Sequence, residues 1–445
     1  MTKSPLAIAV VALFANCSGG PGDYPTLPSQ PTGNRSPGVG TSTTVATASS
    51  TATQTDTSAT TSTTTTATNT TTSTDDTNVV AIVVDSGPDN VEYVDGAFAT
   101  VTLCEPGTTT CQTLDHFLVD TGSTGVRVLE SAVSLALPAL PATGGAGLAE
   151  CLPFLDGSAW GPVRRADVQI GQKAASNLPI QMIGVSTYPL PSNCTGTPIT
   201  DLQSLGANGI LGVGVYLQDC GSSCQVSGRA NPGLYYACSG RTCSTTAVLV
   251  AQQVSHPVAA FAADNNGVII QLPSITAAGA ASVAGRMLFG IGTQPNNGLG
   301  SSTVLPLDSN GFITTTYPVG GSSHLSFLDS GSNAIFFLTA STANIAQCSR
   351  PMNDFYCPSS PLNLAAQLSG TSGASTTVSF SVANATALNT SYFAFDDIAG
   401  PMPASGNDAS TPTFDWGLPF FFGRNVATSI ESQATPAGRG PYFAF

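Results

Sequence analysis

The chain has 445 residues, of which only 9% are charged, with a formal net charge of −14 and a pI near 4.3. That length accommodates a large core and two lobes of ordinary domain size. So acidic a balance, with Lys3 and Lys173 the sole lysines, argues against nucleic acid or an anionic membrane surface as partner.

Residues 1–17 read as an export signal: Lys3, an apolar stretch from Leu6 to Ala15 too short to span a bilayer, then Asn16-Cys17. Cys17 with Ser18-Gly19-Gly20 resembles the lipidation site of bacterial lipoproteins, although Phe14 and Asn16 depart from the Leu and small residue of that motif. Export with another cleavage site is the alternative. Residues 18–78 are almost entirely Ser, Thr, Ala, Pro and Gly and cannot bury enough apolar surface to offset chain entropy. They read as a disordered tether with a coil reach of roughly 45 Å.

Apart from Cys17, ten cysteines remain, and an even number in an exported chain reads as disulfides. The spacings suggest local loops for Cys104–Cys111, Cys238–Cys243, Cys348–Cys357 and Cys220–Cys224, leaving Cys151 with Cys194. Zinc is the competing reading of the cluster, but no nearby His supports it, and no metal or cofactor is expected. From Val79 onward, apolar and β-branched runs of a few residues recur between Gly, Pro, Asn and Asp, which is an all-β pattern. Such runs are Val79–Val84, Phe98–Leu103, His116–Val119, Val126–Leu129, Asp167–Ile170 and Leu178–Ile183. Only Leu249–Ala263 suggests short helical pieces.

Two stretches read almost alike: Leu118-Val119-Asp120-Thr121-Gly122-Ser123 and Phe327-Leu328-Asp329-Ser330-Gly331-Ser332. In each, an apolar run delivers an Asp into a tight turn that Gly permits, flanked by hydroxyls able to hydrogen-bond a carboxylate. Facing each other, they would hold two carboxyls around one water. Val84-Asp85-Ser86-Gly87 has the same lead-in, but Pro88 replaces the second hydroxyl, and no partner element follows at the shared distance.

The surrounding residues carry a resemblance. Tyr93-Val94-Asp95-Gly96-Ala97-Phe98-Ala99-Thr100-Val101 is similar to the strand entering the first active-site loop of the pepsin-like aspartic peptidases. Phe154-Leu155-Asp156-Gly157-Ser158-Ala159-Trp160-Gly161 resembles their flap hairpin, and Ala166–Gly171 the strand returning from it. Asn208-Gly209-Ile210-Leu211-Gly212 resembles the element crossing beneath the first loop. Gly285–Gly290, the second Asp loop and Asp415-Trp416-Gly417-Leu418-Pro419 through Arg424 repeat this order, with similar separations from Asp to crossing element. The resemblance implies an all-β, bilobal pepsin-like fold, with lobes at 79–270 and 271–445 and a cleft between them. It implies that Asp120 and Asp329 are catalytic. Thr121 and Ser330 would tie each loop to the opposite lobe, Gly122 and Gly331 would form the turns, and Ser123 and Ser332 would bond the carboxylates. Phe154, Asp156, Gly157, Ser158, Trp160 and Arg127 would form the flap and pocket wall. Phe154 stands where the family carries a Tyr, and Arg127 where it carries a Trp. Trp160 is a candidate substitute for the missing aromatic. Arg127 is placed to pair with Asp156 or Glu130, or to face solvent. Over its whole globular part the chain also resembles an uncharacterised bacterial family of exported proteins.

The function implied is an aspartic endopeptidase of the bacterial cell envelope, held by lipid at Cys17 and cutting extended polypeptide in the cleft. The alternative is a catalytically silent head of the same fold that binds a protein ligand. His116, His256 and His324 lie apart; His116 and His324 read as strand residues, and no Ser-His-Asp set emerges. Gly212-Val213-Gly214 and Gly290-Ile291-Gly292 lack any phosphate-binding continuation and read as turns.

Overall fold

A computed structural model describes residues 76–155, 157–185, 187–402 and 412–445. The export signal, Cys17 and nearly all of the expected tether lie outside these residues. The fold takes in Asn78, the last residue of the expected tether. Asn78 is fully buried and donates to Phe289 O at 3.0 Å and to Asn296 Oδ1 at 3.1 Å.

Among the described residues the regular structure is almost entirely β. The two α-helices, Leu202–Leu205 and Ala340–Ala343, are 4 residues long each. Leu249–Ala263 contains two 3-10 turns, Val250–Gln252 and Val258–Ala260, which match its short apolar pieces. His116 lies in the strand Cys111–Asp120 and His324 in the strand Ser322–Leu328.

The β-branched run Val79–Val84 sits between Ala97–Cys104 and Val283–Phe289, antiparallel to both. Val283–Phe289 continues the sheet to Gly267–Gln271 and then Asn425–Ser429. One large sheet therefore runs from the first half of the sequence into the second. A separate 7-stranded sheet belongs to the second half alone.

Within each half the chain makes the same crossing. Gly209–Val213 runs parallel to Cys111–Asp120, setting Gly212 opposite Asp120, and antiparallel to Thr124–Leu129. Phe414–Trp416 likewise runs parallel to Ser322–Leu328 and antiparallel to Ile335–Phe337. Each Asp thus ends a strand that is buried by a crossing strand beneath it. Val119, Leu211, Leu328 and Trp416 have no exposure, so both loops stand on packed core.

A hairpin of Gly147–Pro153 and Gly157–Ile170 stands beside the first loop, closed by Phe154 N–H donating to Gly157 O at 2.8 Å. The ten described cysteines pair as 104–111, 151–194, 220–224, 238–243 and 348–357. Such density suits an oxidising compartment. No helix among the described residues is long and apolar enough to cross a membrane.

Candidate functional site

The two Asp turns face each other and are stitched by reciprocal bonds. Thr121 Oγ1 donates to Leu328 O at 3.0 Å and accepts from Ser330 N at 2.9 Å. Ser330 Oγ donates to Val119 O at 2.7 Å and accepts from Thr121 N at 3.2 Å. The glycines are required by this approach. A Cβ on Gly122 would stand 2.6 Å from Asp329 Cγ, and one on Gly331 would stand 2.7 Å from Asp120 Oδ1.

Both carboxyls are fully buried and in hydrogen-bond contact with one another. Asp120 Oδ1 accepts from Gly122 N at 2.7 Å and Ser123 N at 3.1 Å, while Asp120 Oδ2 accepts from Ser123 Oγ. Asp329 Oδ1 accepts from Gly331 N at 2.8 Å, and Oδ2 from Ser332 Oγ at 2.8 Å. Burial raises the pKa of both. For Asp120 the Ser123 hydroxyl, Gly122 N–H and the field of Arg127 oppose that rise. For Asp329 the charges of Asp120 and Asp415 add to it, so its carboxyl is held well above the usual range. Both shifts run upward, as expected of two buried carboxyls that hold one proton between them.

Asp415 is a third carboxyl at this centre. It is fully buried on the crossing strand, and its Oδ2 lies 2.6 Å from Ser332 Oγ. Burial holds its pKa well above the carboxylate norm. The strand registers make Ile210 its counterpart beneath the first loop, since Leu118 faces Ile210 and Phe327 faces Asp415. The two halves repeat in backbone, and differ in chemistry here.

Arg127 corrects the sequence expectation. It pairs with neither Glu130 nor solvent, and Asp156 lies outside the described residues. Its guanidinium is fully buried, donating to Thr124 O at 2.6 Å, Glu150 Oε1 at 3.2 Å and Asp219 Oδ2 at 3.0 Å. Tyr235 Oη donates to Asp219 Oδ1 at 2.7 Å. Glu150 lies on the hairpin and Arg127 on the strand leaving the Asp120 turn, so this cluster fastens one to the other.

The remaining hairpin residues are packed. Phe154 is buried in the apolar cluster of the first half with Leu152 and Ile199. Trp160 is buried in the hairpin packing. Its Nε1 donates to Tyr188 O at 3.2 Å, and its ring meets Tyr236 edge-on at 5.2 Å. Gly157 and Ser158 are buried on the returning strand, and a Cβ on Gly157 would come within 2.7 Å of Thr197 O.

Sequence reasoning passed over Asp415, Glu150, Asp219 and Tyr235. Two of them carried a signal. In a chain with so few charges, Asp415 is the sole charge in Phe414–Phe422, and Glu150 the sole charge in Gly147–Leu155. A carboxylate inside an apolar run is a buried one, and a buried one needs partners. Asp219 and Tyr235 lie in turn-rich sequence with no such contrast. Among the described residues no group of three or more His, Cys, Asp or Glu is placed to hold a metal ion.

Comparison with solved structures finds similarity to the aspartic proteinase from Irpex lacteus, at 14% identity and a TM-score of 0.49, covering 82% of this chain and 96% of that one. At that identity and score the likeness carries no argument about activity. No curated protein matches the chain. A family model described as a protein of unknown function, DUF3443, matches residues 74–445. That match spans the whole of the β fold and both Asp turns, and the chain belongs to this family.

Proposed function

We propose that this protein is an aspartic endopeptidase, with Asp120 and Asp329 as its catalytic pair. The observation that carries the reading is the pair itself: two buried carboxyls in contact, delivered by matching turns and locked by reciprocal hydroxyl bonds. Two carboxylates about 3 Å apart repel by about 5 kcal/mol at an effective dielectric near 20, so they hold one proton between them over the acidic range. Asp120, with more donors, takes the ionised role and removes a proton from the attacking water. Asp329 takes the protonated role and polarises the scissile carbonyl.

The disulfides favour an exported protein, and lipid attachment at Cys17 is the anchor we propose for it. A second reading, a silent binding head, is favoured by one observation: Phe154 brings no hydroxyl to the hairpin and is itself buried in core. An acid-range digest of a peptide library by the purified protein, with and without a statine-type inhibitor, separates the two. Cleavage blocked by the inhibitor supports the enzyme. Tight inhibitor binding without cleavage supports the binding head.

A further inference from the structure

A cavity of about 580 Å3 lies in the second half, between the paired strands Leu362–Ser369 and Ser375–Val382 and the segment 419–424. None of its lining residues belongs to either Asp turn or to the hairpin beside the first. Its volume falls within the range of about 300–1,000 Å3 that small-molecule sites show. Ile335, Leu364, Phe420 and Phe422 give it apolar walls, and Asn363, Ser379 and Ser381 a polar side.

Arg424 and Asp396 both line this cavity, yet no ion pair joins them. Arg127 and Lys173, by contrast, are each paired with a carboxylate. Arg424 is held in place without one: Nη1 donates to Phe420 O at 2.6 Å, and the guanidinium lies 4.5 Å from the centre of the Phe420 ring. Its Nε and Nη2 donate to nothing among the described residues, so they are left for an anion. Asp396 is half-buried, and its own backbone N–H is the one group bonded to its carboxyl among the described residues.

We infer that this cavity binds a zwitterion with an apolar side chain, its carboxylate on Arg424 and its ammonium on Asp396. That chemistry is shared by free amino acids and short peptides. The inference goes beyond the peptidase reading and does not rest on it. A cation and an anion that are partly withdrawn from water and do not neutralise one another each favour an outside partner. A purely anionic ligand would meet Asp396, and a purely cationic one Arg424; a zwitterion satisfies both. The planar guanidinium suits a carboxylate, and the apolar walls suit the side chain. The volume is about twenty waters' share of the liquid, which leaves room for a dipeptide.

Calorimetry on the full chain near pH 6.5, where an α-amino group is charged, tests this with alanyl-phenylalanine, its N-acetylated form, its C-amidated form and free phenylalanine. The free dipeptide should bind about tenfold tighter than either blocked form. Arg424→Gln should abolish the loss caused by amidation and keep the loss caused by acetylation. Asp396→Asn should do the reverse, a matched pattern that a misfolded variant does not produce. Phenylalanine binding more tightly than the dipeptide would name the free amino acid as the source, and weaker binding the peptide; either supports the inference. A statine-type inhibitor should leave these affinities unchanged. Competition with it would place the dipeptide at the Asp pair and overturn the inference. No binding of dipeptide or phenylalanine at about 1 mM, or blocked forms binding as tightly as free ones, would overturn it too and leave the peptidase reading intact.

Discussion

The hydroxyl of Ser332 stands between two carboxyls, 2.8 Å from Asp329 Oδ2 and 2.6 Å from Asp415 Oδ2. A hydroxyl has one proton to donate. Two close acceptors on one hydroxyl require that one carboxyl carry a proton and donate it back. Asp415 is the one, because it is fully buried and its Oδ1 has no hydrogen-bond partner. A protonated Asp415 donates to Ser332, and Ser332 donates to Asp329.

The first prediction concerns this chain of bonds. Asp415→Asn keeps a neutral donor toward Ser332 and should leave the alkaline limb of kcat/KM where it is in the parent. Asp415→Leu removes that donor, weakens the bond by which Ser332 steadies an ionised Asp329, and should move the limb to higher pH. The pH profiles of both variants against the parent are the measurement. An unchanged limb in both would mean that Asp415 serves packing alone.

A second prediction is about stability and its sign. Asp95, Asp219, Asp329 and Asp415 have folded pKa values raised well above 3.8, and Asp397 is raised to about 6, each chiefly by burial. Above pH 3.8 the folded state therefore binds more protons than the unfolded one. Their contribution is fully present below that pH and is lost as pH rises through the folded values. For Asp397 the loss runs from about pH 4 to about 6. His256 acts in the opposite sense: burial lowers it from 6.5 to about 4, so its contribution is whole above pH 6.5 and is lost as pH falls toward 4. That loss amounts to at most about 3 kcal/mol. Five acids against one histidine give a Tm that falls between pH 4 and 7. Calorimetric scans across that range check it, and Asp95→Asn should flatten the slope.

Much of the frame was legible in the sequence because it is written in local contrasts. Val79–Val84 reads as a strand and is one over those residues, since a short unbroken run of mostly β-branched residues fits a pleated sheet. Four disulfide pairs follow their short spacings, and Cys151–Cys194 is the pair those leave over. The Asp turns were legible because Gly and small hydroxyls have few other uses after an apolar strand. Arg127 was not. Its partners Glu150 and Asp219 lie 23 and 92 residues away and meet it only once the chain has folded. Asp415 was read as part of a crossing element and its chemistry was missed, because the bond to Ser332 spans 83 residues. Local pattern announces elements, and a buried ionic cluster belongs to none of them singly.

A third prediction follows from the close approach of the turns. Gly331→Ala places a Cβ 2.7 Å from Asp120 Oδ1, and the two oxygens of that carboxyl are held by three donors between them, so it cannot yield. The variant should lose about 1–3 kcal/mol of stability, as overpacked sites do. It should also lose activity through displacement of the carboxyl. Urea titration gives the first quantity and peptide turnover the second.

A fourth prediction ranks the disulfides. Cys151–Cys194 spans 43 residues and Cys220–Cys224 only 4. On chain entropy alone, removing the first costs about 4 kcal/mol and the second about 2. Paired Cys→Ala variants compared by urea titration should keep that order.

The central claim is that Asp120 and Asp329 together hydrolyse peptide bonds. Its most direct test is the turnover of one cleaved peptide at pH 4 by the parent and by Asp329→Asn, purified identically. The variant keeps size and hydrogen-bonding atoms and loses the acid. The account predicts a fall of about a thousandfold or more with the fold unchanged by circular dichroism. Equal rates from parent and variant would contradict it, because the activity would then come from somewhere other than this pair.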